Sequence, residues 1–212
     1  MSEAEPFRRH DWVWLGPEPG LPDLAEIRDH WEAGLPFIVG HNPPSMERDR
    51  LHLGLALPDK RRMGFSGAVS GIVRHRPPLS LEEVLPRVPQ GWLPALEHLA
   101  ILLKGAGLEV GVYGSAAWQA LTGASYVRET SDLDLLLAPC TGDQLRAALA
   151  ILGSMEGGRP RLDGEIVLPD GRAVAWREAA RASSTLLVKT RREVALVPRA
   201  AWLSAFREPA HA

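Results

Sequence analysis

Residues 113–123 are Tyr-Gly-Ser-Ala-Ala-Trp-Gln-Ala-Leu-Thr-Gly, and residues 131–137 are Ser-Asp-Leu-Asp-Leu-Leu-Leu. The apolar run of the second segment predicts a buried strand, on which Asp132 and Asp134 point to the same face. Their Cα atoms would lie roughly 6.6 Å apart, a separation at which two carboxylates can bracket one Mg²⁺ ion or share two. Gly114 and Ser115 open a helix whose free N–H groups favour an anion. Together the two segments predict a site for a nucleotide-like phosphate that carries Mg²⁺.

Composition excludes several classes of protein. The chain has 212 residues, of which 45% are hydrophobic and 24% charged, values typical of a soluble globular protein. Cys140 is the only cysteine, so no intramolecular disulfide can form, which fits a reducing cytoplasm. The net charge of −2 does not indicate a general nucleic-acid-binding surface. No apolar run reaches the length of a transmembrane helix, so we expect a cytoplasmic protein with no nucleic-acid or membrane partner.

A cluster of prolines between residues 76 and 90 suggests a domain boundary. We predict an N-terminal mixed α/β domain over residues 1–78 and a C-terminal domain over residues 79–212, with an α+β fold class. Ser80 and Glu83 have the spacing of a capping box, which predicts a helix start just after the boundary. In the first part, the pattern predicts strands over residues 9–15, 35–39, 51–58 and 69–74, a helix over residues 22–33 and a linker over residues 74–79.

The second part alternates helices with short apolar strands. Gly123 is placed to end the helix that follows Gly114 and Ser115, and Thr141 is placed to cap the next helix. Predicted helices cover residues 93–106, 116–121, 141–152 and 174–182, the last after one or two extended residues. Predicted strands cover residues 109–113, 133–138, 162–168, 185–190 and 193–197.

Lys60, Arg61 and Arg62 follow the predicted strand over residues 51–58 directly. Three consecutive cations at a strand end are either a solvated hairpin turn or a phosphate clamp, because arginine forks match phosphate oxygens. Lys189 near the end of a later strand is open to the same two interpretations. The residue pattern alone leaves both alternatives open.

The order of helix, strand, Gly-Ser, helix, Asp-x-Asp strand, helix and acidic strand resembles the polymerase-beta-type nucleotidyltransferase superfamily, whose domain has a mixed sheet. A wider set of segments resembles the phosphoribosyl-dephospho-CoA transferase family of bacterial malonate decarboxylase. These segments are residues 9–15, 54–58, 60–62, 114–115, 122–123, 131–136, 162–163 and 186–190.

The resemblance implies an activity and its partners. Such an enzyme transfers the phosphoribosyl-dephospho-CoA group from 2′-(5″-triphosphoribosyl)-3′-dephospho-CoA to a serine of the malonate decarboxylase acyl carrier protein and releases pyrophosphate. The implied cofactor is Mg²⁺ or Mn²⁺, with Asp132, Asp134 and Asp163 as catalytic residues and metal ligands. Glu165 rivals Asp163 as the third carboxylate, because the two lie on the same face of one strand. The implied substrate-binding residues are Gly114, Ser115, Lys189, Lys60, Arg61 and Arg62.

Two other functions stay open from the sequence. The chain could be a nucleotidyltransferase that moves AMP onto a protein or a small molecule. It could also be a non-catalytic protein that uses the same cleft to bind a nucleotide or a carrier protein. The presence of all three aspartates argues against the second alternative.

Overall fold

The structure, a computed structural model, describes residues 6–17, 20–168 and 170–206. Its strands form a five-stranded and a seven-stranded sheet. Within the described residues the strands are β1 (Trp12–Leu15), β2 (Phe37–Val39), β3 (Arg50–Ala56), β4 (Arg62–Ala68), β5 (Ile72–Arg76), β6 (Leu79–Ser80), β7 (Val110–Tyr113), β8 (Asp132–Leu137), β9 (Arg161–Val167), β10 (Ala173–Ala175), β11 (Thr185–Lys189) and β12 (Val194–Pro198). The α-helices of the same residues are α1 (Ala25–Glu32), α2 (Leu81–Val84), α3 (Leu93–Gly105), α4 (Gly114–Thr122), α5 (Gly142–Ser154), α6 (Trp176–Ala180) and α7 (Arg199–Leu203).

The first sheet has the strand order β4-β3-β2-β1-β5, and its neighbouring strands are antiparallel. In β3, Leu51, Leu53 and Leu55 are buried and the residues between them are partly exposed. This alternation places one face of the sheet on the core. The β3–β4 hairpin turns at Lys60, whose φ of +76° lies in the left-handed region.

The second sheet is mixed, as expected. Its order is β12-β11-β10-β9-β8-β7-β6, with β8 and β9 parallel and the other pairs antiparallel. On β8, Leu133, Leu135 and Leu137 are fully buried and belong to the same hydrophobic cluster as the apolar residues of α3 and α5. Asp132 and Asp134 therefore lie on the opposite face of the sheet, which is only partly covered.

Local end signals account for where several helices start and stop. Ser80 and Glu83 form the expected capping box at the start of α2. The Thr141 side chain accepts a hydrogen bond from the Gln144 N–H and caps α5, and Gly123 ends α4 with a φ of +75°. These predictions are confirmed. The sequence could predict these ends because capping depends on residues within one turn of the helix end.

Three sequence predictions differ from the structure, two of them around β5 and one at α6. Residues 74–76 belong to β5 rather than to a linker, because β5 pairs with β1 and the His75 Nε2 bonds the buried Asp11 carboxylate at 2.8 Å. Residues 69–71 form a 3₁₀ turn instead of the start of that strand. The predicted helix over residues 174–182 follows extended residues as expected, because residues 173–175 pair with β9 as β10, but it ends earlier, at Ala180.

The chain is a mixed α/β protein with two sheets. The sheet of β1–β5 comes from residues 12–76 and the sheet of β6–β12 from residues 79–198. Division into domains at residue 78 and a polymerase-beta-type fold stay predictions. Across the described ranges, no helix has both the length and the apolar character needed to cross a membrane.

Candidate active site

The carboxylates of β8 and β9 meet on the partly covered face of the second sheet. In the parallel pairing of these strands, Asp134 is opposite Asp163 and Asp132 is opposite Arg161. Residues opposite each other on adjacent strands, which lie about 4.8 Å apart, point to the same side of the sheet. The structure thus places Asp163 beside Asp134, although 28 residues lie between them in the chain.

Helix α4 begins directly against Asp134. Gly114, its first residue, has a φ of +66°, and a Cβ atom built on it would lie 1.9 Å from Asp134 Oδ2. Both the conformation and the space at this position require glycine. The free N–H groups at the start of α4, with the Ser115 hydroxyl, therefore lie next to the carboxylates, as the sequence pattern predicts.

The three basic residues of the β3–β4 turn divide between two places. Lys60 Nζ donates to Ser115 Oγ at 3.3 Å and to the Tyr126 carbonyl at 3.2 Å. Arg62 and Lys60 also lower the pKa of Asp134 by their charge, against the larger effects that raise it.

Arg61 lies elsewhere. Its Nε donates to Asp59 Oδ2 at 2.7 Å and its Nη1 to Glu26 Oε1 at 2.8 Å. The turn thus brings Lys60 to the start of α4 and the charge of Arg62 near Asp134, whereas Arg61 is paired with exposed carboxylates.

The pKa of Asp134 is strongly perturbed. Burial, followed by the negative charges of Asp163 and Asp132, raises its pKa to about 6. Asp132 behaves oppositely, because a hydrogen bond from Arg161 lowers its pKa. The Arg161 guanidinium forms a two-bond ion pair with Asp132, with Nε donating to Oδ1 at 2.8 Å. Arg161 thus neutralises one carboxylate and leaves Asp134 and Asp163 facing each other.

The donor chemistry of this cluster suits Mg²⁺, which prefers oxygen ligands and retains water and phosphate in its shell. In the part of the chain that the structure describes, no group of three or more His, Cys, Asp or Glu side chains is arranged to hold a metal ion. Asp132 is bound by Arg161 instead, and Asp163 Oδ1 accepts the Gly164 N–H at 2.9 Å. Burial is the first cause of the raised pKa of Asp134 and the charges of Asp163 and Asp132 come after it, and a divalent cation would relieve that charge contribution.

Glu165 belongs to a second cluster. It is 5% exposed, and its carboxylate accepts from Arg9 Nη1 at 3.1 Å, from Arg9 Nη2 at 3.2 Å and from Lys189 Nζ at 3.2 Å. Burial raises the pKa of Glu165, but the bond with His10 and the charge of Arg9 outweigh it and lower the pKa to about 2. The structure therefore places both Glu165 and Lys189 in an ion-pair cluster beside the aspartates.

Tyr113 and His10 lie between the two clusters. Their rings are 4.0 Å apart, and Tyr113 is opposite Asp134 in the sheet. Burial, then the charges of Glu165, Asp134 and Asp163, raises the pKa of the Tyr113 hydroxyl, so it stays protonated. Burial lowers the pKa of His10.

Sequence reasoning missed four residues of this region. Period-two alternation on β7 and β9 could have placed Tyr113 and Arg161 on the aspartate face. Arg9 and His10 have no such signal, because they reach the second sheet from the other end of the chain.

Comparison with known proteins identifies a family. A family model described as the phosphoribosyl-dephospho-CoA transferase MdcG C-terminal domain matches residues 80–200, and the model of the N-terminal domain matches residues 8–78. No solved structure matches the chain significantly.

Curated relatives cover nearly the whole chain. A protein of Xanthomonas euvesicatoria pv. vesicatoria (strain 85-10) named phosphoribosyl-dephospho-CoA transferase is 38% identical over 197 residues, which are 91% of this chain and 92% of the relative. A protein of Bradyrhizobium diazoefficiens with the same name is 33% identical over 94% of this chain and 93% of the relative. The chain therefore belongs to the phosphoribosyl-dephospho-CoA transferase family.

Proposed function

We propose that this protein transfers the phosphoribosyl-dephospho-CoA group from its triphosphate-activated form to a serine of the malonate decarboxylase acyl carrier protein, with Mg²⁺ and release of pyrophosphate. One observation carries the proposal. Gly114, at the start of α4, touches Asp134, and Asp134 is opposite Asp163 in the parallel pair. A helix start with free N–H groups thus adjoins two carboxylates, which supports positioning and charge neutralisation in phosphoryl transfer.

The triphosphate would bind at the start of α4. Backbone N–H groups and the Ser115 hydroxyl donate to phosphate oxygens, and the helix dipole favours their negative charge. Lys60 already contacts Ser115, so its ammonium group would neutralise charge on the same phosphates. Arg62 adds a second cation near Asp134. These groups would stabilise the pyrophosphate as it leaves.

Asp134 and Asp163 would hold Mg²⁺, and Asp132 would join them when Arg161 releases it. Bound there, Mg²⁺ neutralises phosphate charge and lowers the pKa of the attacking hydroxyl. We propose Asp163 as the group that would lower the pKa of the serine hydroxyl through the metal or take its proton, because it is opposite Asp134 on the partly covered face. The protein then contributes position and electrostatics, which dominate catalysis of this class.

The direct test combines the purified chain, the triphosphoribosyl-dephospho-CoA substrate and the apo carrier protein. We expect pyrophosphate release and a mass increase of the carrier equal to the transferred group. Both should stop in EDTA and return with Mg²⁺ or Mn²⁺. Asp134→Asn and Asp163→Asn should reduce the rate by about 10³-fold or more while the protein stays folded.

A parallel reaction with labelled ATP separates the alternatives. Label on the carrier from ATP would replace the proposal with adenylyl transfer. If Asp134→Asn keeps full carrier affinity and the wild-type chain shows no turnover with either donor, the chain is a binding protein.

A further inference from the structure

A cavity of about 900 Å³ is lined in part by residues on the same face of the second sheet as the aspartates, and in part by α3. Its floor includes Leu136, Val167 and Ala173, and Ala138 lies at its edge. Leu136 is two residues beyond Asp134 on β8. Side chains two residues apart share a strand face, so the cavity begins about 6.6 Å along the strands from the aspartates.

The walls of the cavity come from distant parts of the chain. Residues 8–11 and 76–78 cover one side, and residues 107–111 close another. These walls make the space a walled cleft rather than a flat surface. A volume of this size is at the upper end of the range for small-molecule sites. The shape suits an elongated small molecule better than a folded carrier protein.

The charges around the cavity are of both signs: two arginines of the lining are paired within the protein, and Lys104, Glu82 and Glu109 line it as well. Arg9 is bound to Glu165, and Arg76 Nη2 donates to Glu83 at 2.8 and 2.9 Å. Paired cations are poor sites for a triphosphate, which needs unpaired donors such as those at the start of α4. The apolar residues of the lining favour neutral amide, alkyl and aromatic groups, and Lys104 adds a cation for a short anionic group between them.

We propose that this cavity binds the dephospho-CoA part of the coenzyme substrate, with its pantetheine arm and adenine on the apolar floor. This inference rests on the proposed function, because it takes the triphosphate to lie at the aspartates. The two sites are then consecutive along one sheet face. The triphosphate end of one molecule would reach α4. Its pantetheine arm and adenine would fill the cavity, and the diphosphate that joins them would face Lys104 of the lining.

The test uses dephospho-CoA without the triphosphoribosyl group, because this compound binds but cannot react. Ala138 is exposed, so Ala138→Trp should fill the cavity edge with little effect on folding. We expect calorimetry to show binding to the wild-type chain that Ala138→Trp weakens by about ten-fold or more, while pyrophosphate binding stays unchanged. Ala150→Trp, at an exposed position of α5 outside the cavity, should bind dephospho-CoA like the wild-type chain.

Hydrogen exchange on the wild-type chain provides a readout that needs no variant. Dephospho-CoA should slow amide exchange in residues 107–111 and 171–173, which line the cavity or lie within its lining segments. Unchanged affinity in a folded Ala138→Trp protein, or protection confined to other segments, would overturn the cavity assignment. Transferase turnover is measured separately, so its absence alongside normal dephospho-CoA binding would count against the proposed function alone.

Discussion

Gly114 couples the backbone of α4 to the carboxylate of Asp134. Its positive φ and the 1.9 Å separation between a built Cβ and Asp134 Oδ2 act together, so any side chain must displace the carboxylate or the helix start. Gly123, at the other end of the same helix, has a similar φ of +75° with open space around it. A substitution at Gly123 therefore tests backbone strain alone, and a substitution at Gly114 tests strain together with contact with Asp134.

We expect Gly114→Ala to reduce kcat/KM by about 10²-fold, because displacement of a positioned group by about 1 Å has effects of this size. Gly123→Ala should lose stability through its left-handed backbone but keep most of its activity per folded molecule. The measurement is pyrophosphate release normalised to folded protein. Equal activity losses in the two variants would show that strain, rather than the contact with Asp134, matters.

Asp134 should make stability depend on pH. Its folded pKa of about 6 lies above the ordinary 3.8, so the folded chain binds this proton more tightly than the unfolded chain. The stabilisation from the protonated form is therefore present at low pH and is lost as the pH rises from about 4 through about 6.

Asp134→Asn should consequently raise the free energy of unfolding by about 2 kcal/mol near pH 7.5 and have little effect near pH 4. Denaturant titrations at the two pH values measure this difference. Asp29→Asn, on the exposed side of α1, should show no such gain. A gain that is the same at both pH values would contradict a raised pKa of Asp134 in the folded chain.

The parallel pair of β8 and β9 depends on one close approach. Gly164 has a φ of +135°, and a Cβ on it would lie 1.9 Å from the Leu135 carbonyl oxygen. The glycine that interrupts the apolar pattern of β9 is thus what allows its backbone to meet β8. This pairing in turn sets Asp163 beside Asp134.

Gly164→Ala should destabilise the protein by about 3 kcal/mol or more, because backbone strain and collision with a neighbouring strand add. Gly34→Ala, with a φ of +68° and open space, should lose only about 1 kcal/mol. Thermal unfolding of both variants tests the comparison. Similar losses in the two would argue against the close approach of β8 and β9.

Contacts between the two sheets complete the candidate site. Trp12 of β1 meets Trp118 of α4 edge to face at 4.7 Å, Arg9 binds Glu165, and Lys60 reaches Ser115. The first sheet therefore supplies cations to carboxylates and to a helix end of the second. Neither sheet alone carries all the residues that we propose to bind phosphate.

Lys60→Ala and Arg62→Ala should each raise the KM for the triphosphoribosyl substrate by about ten-fold, since a charge-assisted contact contributes about 1.5–3 kcal/mol. Arg61→Ala should have a smaller effect, because Arg61 is held by Asp59 and Glu26. Steady-state kinetics of the three variants tests this order. Equal and small effects on KM in the three variants would show that these residues form a solvated turn and do not bind the substrate.

The sequence by itself determined the features that depend on neighbours in the chain. Alternation with period two put Asp132 and Asp134 on one strand face, and capping residues located the ends of α2, α4 and α5. The family resemblance also rested on short segments. These features are local because strand alternation and helix capping involve residues only a few positions apart.

Tertiary structure alone decided which charges meet. Asp163 faces Asp134 while Glu165 is taken by Arg9 and Lys189, and Arg161 holds Asp132. Strand register and ion pairing join residues that are far apart in the chain. A period-two pattern puts both Asp163 and Glu165 on the same strand face, so it cannot choose between them. The choice between them depends on the partners that folding brings to each carboxylate.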